Sequence, residues 1–177
     1  KDLSHLKKGK SLEWNSGKIL SDESVHVIYK GNALQSAKKY FWQVRVWDNY
    51  GKASGWSTPA FFQMALLNET DWKAKWIEPG FEDSVGQPSP MFRKQFSADK
   101  KIKSAAIFIT AHGLYDAQIN GHRISDDYFV PGWTSYNKRL QYQEYDVTDL
   151  VKQGNNAIGV ALGDGWYRGH LAWAEER

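Results

Sequence analysis

The stretch GLYDAQINGHRIS, residues 113–125, contains the clearest fold signal in the chain. At its centre is Asn120-Gly121, the strongest short-range hairpin signal, because both central residues of a type I′ turn need positive φ. Tyr115 and the residues two and four positions after it are apolar, whereas Asp116 lies on the other side of the alternation. The sequence therefore predicts an antiparallel hairpin around this turn, with Tyr115 in the core and Asp116 facing outward.

Short apolar alternations, separated by turn signals about every ten residues, occur along the whole chain. This pattern is typical of all-β sandwiches, and no stretch predicts a helix of normal length. Other predicted strands are residues 25–29, 40–48, 58–64, 91–96, 105–111, 141–147 and 157–162. In the second of these, the alternate residues from Tyr40 to Val46 are expected to share one buried face.

Polar and turn-forming residues divide the predicted strands into two modules. The first runs over residues 1–67, and polar breakers at residues 68–71 form a junction. The second module runs over residues 72–177. Within it, residues 80–90 contain two Gly, two Pro and two Ser, which predicts a surface loop.

Composition narrows the classes of function. No apolar run approaches the ~20 residues that a membrane span needs. The net charge of +3 is too small a surplus to indicate nucleic acid binding. With no cysteine, the chain has no disulfide, thiolate metal site or cysteine nucleophile. The compartment stays open, with a periplasmic or secreted location favoured over the cytoplasm.

The sequence contains no recognisable catalytic or metal-binding set. The five histidines lack metal-ligand spacing, and His112 is expected to be an exposed or hydrogen-bonded loop residue. The acidic pairs Glu82-Asp83 and Glu175-Glu176 are expected to be loop or terminal charges. We therefore predict no catalytic residue and no metal ligand in this chain.

The segment YFWQVRVWDNYGKASGWSTPAFF, residues 40–62, resembles the last two strands of a fibronectin type III domain. Tyr40 and Val44 match the first strand of that pattern, and Trp56-Ser57 opens the second. A complete domain of this kind has about 100 residues. The resemblance therefore implies that the first module is an incomplete β-sandwich.

The second module has a more specific set of motifs, namely WKAKWI (72–77), MFRKQF (91–96), HGLYDAQINGHRI (112–124), PGWTSYNKRLQYQEYDVTDLV (131–151) and GNNAIGVALGDGWYRG (154–169). In this order they resemble the N-terminal β-sandwich of bacterial α-L-rhamnosidases, a galactose-binding-like jelly roll. The preceding fibronectin-like module fits the same family. The resemblance covers essentially the whole chain and implies a jelly roll that is truncated at its C-terminal end.

The family hydrolyses terminal α-L-rhamnose with inversion, using acidic residues on a separate (α/α) barrel. Inversion needs two carboxyl groups about 6.5–9.5 Å apart. The resemblance implies that this chain is an N-terminal fragment without that barrel and inactive alone. Its implied partners are a rhamnose-containing glycan, the catalytic domain, and a second copy through exposed strand edges. A free-standing carbohydrate-binding module and a structural spacer remain alternatives.

The glycine-rich segment 163–169 is the first candidate binding site. Glycines at this density suit a loop that lets another group approach the backbone. In one interpretation, Asp164 accepts bonds from sugar hydroxyls, Trp166 or Tyr167 stacks on the ring, and Arg168 donates. In the other, which is favoured, the loop packs against the catalytic barrel and its aromatic residues anchor that interface.

Trp133 and Tyr136, which follow Pro131-Gly132 in a predicted loop, form the second candidate binding site. The same two interpretations apply to them, with neither favoured. Because jelly-roll sugar binders often hold calcium through Asp and Asn oxygens, a calcium site is a further alternative. Its candidate ligands are Asp126-Asp127 and Asn155-Asn156, whose spacing matches no defined calcium loop.

Overall fold

The computed structural model describes residues 3–9, 11–23, 25–81 and 87–169. The chain divides into two compact units, Lys1–Lys75 and Trp76–Arg177. The acidic pairs Glu82-Asp83 and Glu175-Glu176 lie outside the described residues.

Unit 1 has little regular structure. It contains helix α1 (Leu3–Lys8), strand β1 (Lys39–Trp42), strand β2 (Ala60–Gln63) and a short 3-10 helix (Glu69–Asp71). The two strands pair antiparallel, and the rings of Tyr40 and Phe62 stack across them with centroids 5.7 Å apart. Among the described residues of this unit, Tyr40 is the buried hydrophobic residue, at 6% exposure. The core of unit 1 is therefore small.

Two strand predictions in unit 1 were wrong. One of the predicted strands does not form, and the other is shorter than expected. Residues 25–29 form no strand, and His26 has a positive φ of 58°, which extended backbone does not allow. The predicted strand 40–48 ends at Trp42, and Val46 on its expected buried face is 67% exposed. Alternation alone does not produce a strand where no neighbour pairs with it.

After β1, two serine hydroxyls take the place of backbone carbonyls as hydrogen-bond acceptors. The N–H of Val44 donates to Ser57 Oγ and that of Val46 to Ser54 Oγ, each at 3.1 Å. The serine N–H groups donate back to the two valine carbonyls at 2.8 and 2.9 Å. Because a side-chain oxygen takes the place of a backbone carbonyl, the two segments stay together without a regular strand.

Charged groups hold the periphery of unit 1. The guanidinium of Arg45 lies over the rings of both Trp47 and Trp56, 4.8 and 4.6 Å from their centroids. At the end of the unit, Asp71 accepts bonds from the Ser36 hydroxyl and from the backbone and side-chain N–H groups of Asn68. These bonds, that from Ser36 above all, lower the pKa of Asp71 below its ordinary range.

The described residues of unit 2 form two antiparallel sheets. The strands of the first, in spatial order, are β3 (Met91–Ala98), β8 (Gly154–Gly163), β5 (Leu114–Ile119) and β6 (His122–Arg123). The second pairs β4 (Ala106–Ile109) with β7 (Gln143–Asp146). The predicted hairpin is confirmed as β5–β6, and Asn120 and Gly121 have the positive φ values, 52° and 84°, that its turn requires.

The core of unit 2 lies between these sheets. Ala117 and Ile119 of β5 are each 3% exposed, and Tyr115 is 7% exposed, as predicted for this face. Ile109 of β4 and Tyr145 of β7 pack, from the other sheet, against the cluster formed by Ala111, Tyr115 and Ala117. Two facing sheets with buried alternate side chains form a sandwich arrangement.

A buried asparagine fixes the turn before β8. Asn156 is 3% exposed, and its amide donates to the carbonyls of Lys152 and Gly154 while accepting from Lys152 N–H and from the Asn120 amide. The Asn120 amide also donates to the Leu150 carbonyl at 2.8 Å and accepts from Ala157 N–H at 3.0 Å. These bonds saturate the polar atoms of Asn156, so that its burial is tolerated.

The prediction of an all-β protein is therefore confirmed at the level of class, with several small antiparallel sheets. The described residues form no closed barrel. Within these same residues, neither helix is long and apolar enough to cross a membrane.

Candidate functional site

The two predicted sites meet at one end of unit 2. Leu114 at the start of β5 pairs with Gly163 at the end of β8, so the segment after β8 emerges beside the start of β5. There the predicted glycine-rich loop forms a single helical turn, α2 (Gly165–Arg168). All six candidate residues lie in this turn, just before it, or in the loop that follows Pro131.

Two glycines make the close approach possible. Gly113 has a φ of +86°, and a Cβ there would lie 2.2 Å from the Gly163 carbonyl oxygen. Gly165 has a φ of +53°, and a Cβ there would lie 2.6 Å from Leu114 Cγ. The glycines were expected to let another group approach the backbone, and here that group belongs to the chain itself.

Asp164 and Arg168 are paired with each other. Arg168 Nη2 lies 2.7 Å from Asp164 Oδ1, and each side chain keeps more than a third of its surface exposed. The (i, i+4) spacing across one helical turn brings them together. The charged groups expected to contact a ligand thus form an ion pair whose outer surface faces solvent.

The loop that carries Trp133 is fixed to the core by hydrogen bonds. Tyr115 N–H donates to the Val130 carbonyl, and the Gln143 amide donates to the Pro131 carbonyl, both at 3.0 Å. The Tyr115 hydroxyl donates in turn to Gln143 Oε1 at 3.0 Å. Because a buried tyrosine and β7 hold its carbonyls, this loop presents its side chains from a fixed backbone.

Trp133 and Trp166 form an aromatic pair. Their rings are 5° from parallel with centroids 6.2 Å apart, and Phe129 packs on Trp166 at 6.0 Å. Trp133 is 62% exposed and Phe129 is 68% exposed. We call these three residues the aromatic face. Aromatic surface that stays in water while fixed in position is typical of a binding site.

Tyr136 and Tyr167 belong to a second cluster, built around His112. The imidazole stacks on Tyr167 at 4.5 Å and on Trp76 at 4.8 Å, with 20° between the planes in each case. Tyr136 meets Tyr167 edge-on at 5.3 Å. His112 is exposed, as predicted, but its position between two rings was not foreseen.

Burial sets the protonation of the tyrosines. It raises the pKa of Tyr136, whose hydroxyl is buried and has no hydrogen-bond partner among the described residues. Burial, followed by the bond to Tyr145, raises the pKa of Tyr115 far above its ordinary range. These phenols therefore remain neutral hydroxyls at physiological pH.

Among the described residues, the structure does not assemble a set of ligands for the alternative calcium site. The amide of Asn156 is fully used by backbone groups and Asn120, which leaves it no oxygen lone pair directed at a cation. Within the described ranges, no group of three or more His, Asp or Glu residues could hold a metal ion. The geometry instead provides stacked rings, one ion pair and neutral hydroxyls.

Sequence reasoning missed Phe129, Trp76 and His112 as parts of these clusters. Trp76 and His112 are far apart in sequence, so no local pattern joins them. Phe129 stands two residues before a proline, and its φ of +58°, which turns it toward Trp166, is known only from the structure.

Comparison with known families defines the class of protein. Residues 4–68 match the family described as Rha78A-like, N-terminal immunoglobulin domain. Residues 100–177 match the family described as alpha-L-rhamnosidase N-terminal domain. The chain is thus an immunoglobulin-like domain followed by a rhamnosidase N-terminal domain.

Relatives and solved structures identify it further. An alpha-L-rhamnosidase of Formosa agariphila is 42% identical over 90% of this chain, and one of Alteromonas sp. (strain LOR) is 40% identical over 93%. The alpha-L-rhamnosidase structure from Dictyoglumus thermophilum superposes with a TM-score of 0.86 at 42% identity over 94% of this chain. The Aspergillus terreus structure gives 0.78 at 40% identity over 89%.

The chain belongs to the α-L-rhamnosidase family and corresponds to the N-terminal, non-catalytic domains of its members. It spans only 18% and 19% of the two curated relatives, and 20% and 19% of the two solved chains.

Proposed function

We propose that this chain is the accessory region of a glycoside hydrolase that releases terminal α-L-rhamnose with inversion, and that its aromatic face binds the rhamnosyl residue. The named relatives are α-L-rhamnosidases, which supports the class of substrate. Catalysis falls to two carboxyl groups in the remainder of such an enzyme, since inversion requires a carboxyl pair with room for water. The chain alone is expected to hydrolyse no aryl α-L-rhamnoside.

The proposal includes a finer description of the fold. Unit 1 is an incomplete fibronectin type III-like variant of the immunoglobulin fold, which agrees with the one pair of four-residue strands among its described residues. Unit 2 is a truncated galactose-binding-like jelly roll, which agrees with the unequal four-stranded and two-stranded sheets that its described residues form.

The single observation that carries the binding role is the near-parallel pair of Trp133 and Trp166. A pyranose has one largely apolar face, and an exposed indole on a rigid loop offers flat apolar surface at low entropic cost. Asp164 and Arg168 flank Trp166 in the chain, and their ion pair provides charged acceptors and donors for hydroxyl groups. Stacking with adjacent polar groups is the chemistry that sugar recognition needs.

A titration with L-rhamnose, followed by NMR or calorimetry, tests this role. We expect binding by the unmodified chain and at least a ten-fold loss in Trp133→Ala, because the exposed ring of the pair is removed. Trp42→Ala is the matched control, since Trp42 is also substantially exposed, at 46%, but lies in β1 of unit 1. Equal affinities for the two variants, or no binding by any of them, would contradict the proposal.

One observation favours a second function for the same end of unit 2, as a surface on which the catalytic region packs. The Tyr136 hydroxyl is buried without a partner among the described residues, and a second protein surface would supply one. On this alternative the full-length enzyme protects Trp133 and Tyr136 from solvent, and L-rhamnose does not bind. Quenching of tryptophan fluorescence by acrylamide in the chain and in the full-length enzyme separates the two.

A further inference from the structure

The backbone pairing of residues 38–48 in unit 1 defines two faces of this segment. Even-numbered residues supply the backbone groups that bond to residues 52–64, namely the carbonyls of Lys38, Val44 and Val46 and the N–H groups of Val44, Val46 and Asp48. Side chains alternate between the two faces of paired extended backbone. The odd-numbered residues Lys39, Arg45 and Trp47 therefore share one face.

This face combines exposed cations with aromatic rings. The guanidinium of Arg45 lies over both Trp47 and Trp56, as described above. Two lysines extend the arrangement, since Lys18 Nζ lies 5.6 Å from the centroid of the Trp47 ring and Lys39 Nζ lies 4.8 Å from that of Phe61. All three cations are exposed. We call the following six residues the cationic surface: Lys18, Lys39, Arg45, Trp47, Trp56 and Phe61.

The charge of this region favours an anionic ligand. Residues 1–66 contain ten Lys and Arg against five Asp and Glu, whereas residues 67–177 contain 13 against 15. Lys18 and Arg45 both contact the Trp47 ring, so two like charges converge there. The adjacent carboxylate of Asp48 accepts bonds from the N–H groups of Tyr50 and Lys52 in the turn. An anion placed between the two cations would be attracted by both.

We propose that the cationic surface binds an acidic polysaccharide through the carboxylates of its uronic acid residues. The N–H groups of a guanidinium lie in one plane and donate in pairs, in the geometry that a carboxylate accepts. The adjacent rings offer flat apolar surface to a pyranose. A uronic acid carries a carboxylate and an apolar ring face on the same sugar, so it uses both kinds of group at once.

The position of Arg45 carries this inference. Its side chain is exposed yet lies over two rings, so less rotamer freedom is lost when a ligand binds. From Lys39 to Trp47, the extended backbone spans roughly 25 Å. Cations spread over that length suit a polymer rather than a single sugar, because several of its units are bound together.

The choice of a polysaccharide over a nucleic acid rests on the proposed function, because the named relatives are glycosidases. The negative charge of the ligand is inferred from unit 1 alone. The cationic surface belongs to unit 1 and the aromatic face to unit 2, so binding at one does not require binding at the other.

Calorimetric titration of the 177-residue chain with polygalacturonate tests the inference. Fully methyl-esterified polygalacturonate is the matched ligand, because it keeps the pyranose rings and loses the carboxylate charges. Arg45→Ala and Lys18→Ala remove cations of the surface, and Arg45→Lys keeps the charge without the planar fork. Lys30→Ala is the matched control, since Lys30 is an exposed lysine in another segment of unit 1. Circular dichroism at the titration temperature establishes that each variant is folded.

We expect the unmodified chain to bind polygalacturonate, with an affinity that falls as salt is added. Arg45→Ala and esterification of the ligand should each weaken binding about ten-fold, because a charge-assisted pair of hydrogen bonds is lost. Arg45→Lys and Lys18→Ala should have smaller effects. Lys30→Ala should change the affinity by less than about two-fold, as expected for an exposed charge away from the ligand.

No binding by the unmodified chain, equal affinity for the methyl ester, or equal losses in Lys30→Ala and Arg45→Ala would overturn the inference. Tighter binding of dextran sulfate or of single-stranded DNA would overturn it too, since either result assigns the surface to a different anion. Polygalacturonate contains no rhamnose. A failure here therefore leaves the L-rhamnose titration of the aromatic face standing, and a failure of that titration leaves this result standing.

Discussion

The two units contain similar alternating sequences but fold to different extents. In unit 1 the alternation from Tyr40 to Val46 yields a strand of four residues, and only the first of its alternate side chains is buried. In unit 2 the alternation that begins at Tyr115 yields a strand with neighbours on both sides and a second sheet above it. Alternation thus specifies a strand where hydrogen-bonded neighbours and an opposing layer exist together.

The units also differ in how their polar groups stabilise them. Unit 2 buries an amide network around Asn156 and brings backbone segments into contact at Gly113. Unit 1 relies on groups nearer the solvent, such as the half-buried Asp71 and the exposed Arg45. Because groups removed from water contribute more than exposed ones, substitutions in unit 2 should have the larger effects.

The largest effect is expected at Gly113. Gly113→Ala should destabilise unit 2 by about 2–5 kcal/mol, because it forces a positive φ on a residue with a Cβ and directs that Cβ into the Gly163 carbonyl. Chemical denaturation followed by near-ultraviolet circular dichroism measures it. Gly163→Ala is the control, since a Cβ there meets nothing within 4 Å. Equal midpoints for the two variants would refute the close approach.

The second-largest loss of stability is expected at Asn156. Asn156→Ala is expected to cost about 2–3 kcal/mol, because it removes a buried amide and the part-buried hydrogen bonds that it makes with the backbone of Lys152 and Gly154. Its exposed neighbour gives the control, and Asn155→Ala should change stability by less than about 0.5 kcal/mol. Chemical denaturation, followed by near-ultraviolet circular dichroism, measures the stability of both variants. A small effect at Asn156 would mean that water replaces the amide.

Asp71 tests unit 1 through pH. Its folded pKa is lowered by bonds from Ser36 and Asn68, so its stabilising contribution is complete above the ordinary carboxyl range and is lost as pH falls through the lowered pKa. Asp71→Asn should therefore reduce the stability of unit 1 at pH 7 and flatten its dependence on pH below about 4. Thermal unfolding across that range measures the slope. A pH dependence in Asp71→Asn as steep as in the unmodified chain would exclude this role.

The smallest effect is expected at Arg45. Arg45→Ala should destabilise unit 1 by about 0.5–1 kcal/mol, because one guanidinium lies over two tryptophan rings, the half-buried Trp47 and the exposed Trp56. Arg45→Lys should retain part of the stability, since an ammonium keeps the charge but loses the planar stacking. Urea denaturation of the unmodified chain and of the two variants gives the order of their stabilities. A lysine variant weaker than the alanine variant would contradict the cation–aromatic account.

The sequence was most informative where local rules decide structure. The Asn120-Gly121 turn, the buried side of Tyr115 and the presence of β3 and β8 follow from turn chemistry and alternation, and the motifs 112–124 and 131–169 indicated the family. The candidate residues lie in two segments, and their binding role stays a prediction. That these segments meet was not foreseen, because their contact depends on the pairing of β5 with β8.

The remainder depends on distant contacts that no local pattern encodes. His112 stands between Trp76 and Tyr167, which are 36 and 55 positions away in the chain. The extent of the strands in unit 1 is set by which neighbours are present, as residues 25–29 demonstrate. The pairing of Asp164 with Arg168 required the helical turn α2, which a glycine-rich segment does not predict.

The turn at Asn120 also bears on how the molecule ages. Asparagine followed by glycine is the pair most prone to deamidation, because the next backbone nitrogen attacks the side-chain carbonyl carbon. Here that amide is held by the Leu150 carbonyl, by Asn156 and by Ala157 N–H, which keeps it from turning toward Gly121. Once the domain unfolds this protection ends. A carboxylate formed at position 120 would then face the oxygens of Leu150 and Asn156, so chemical damage would turn reversible unfolding into permanent loss.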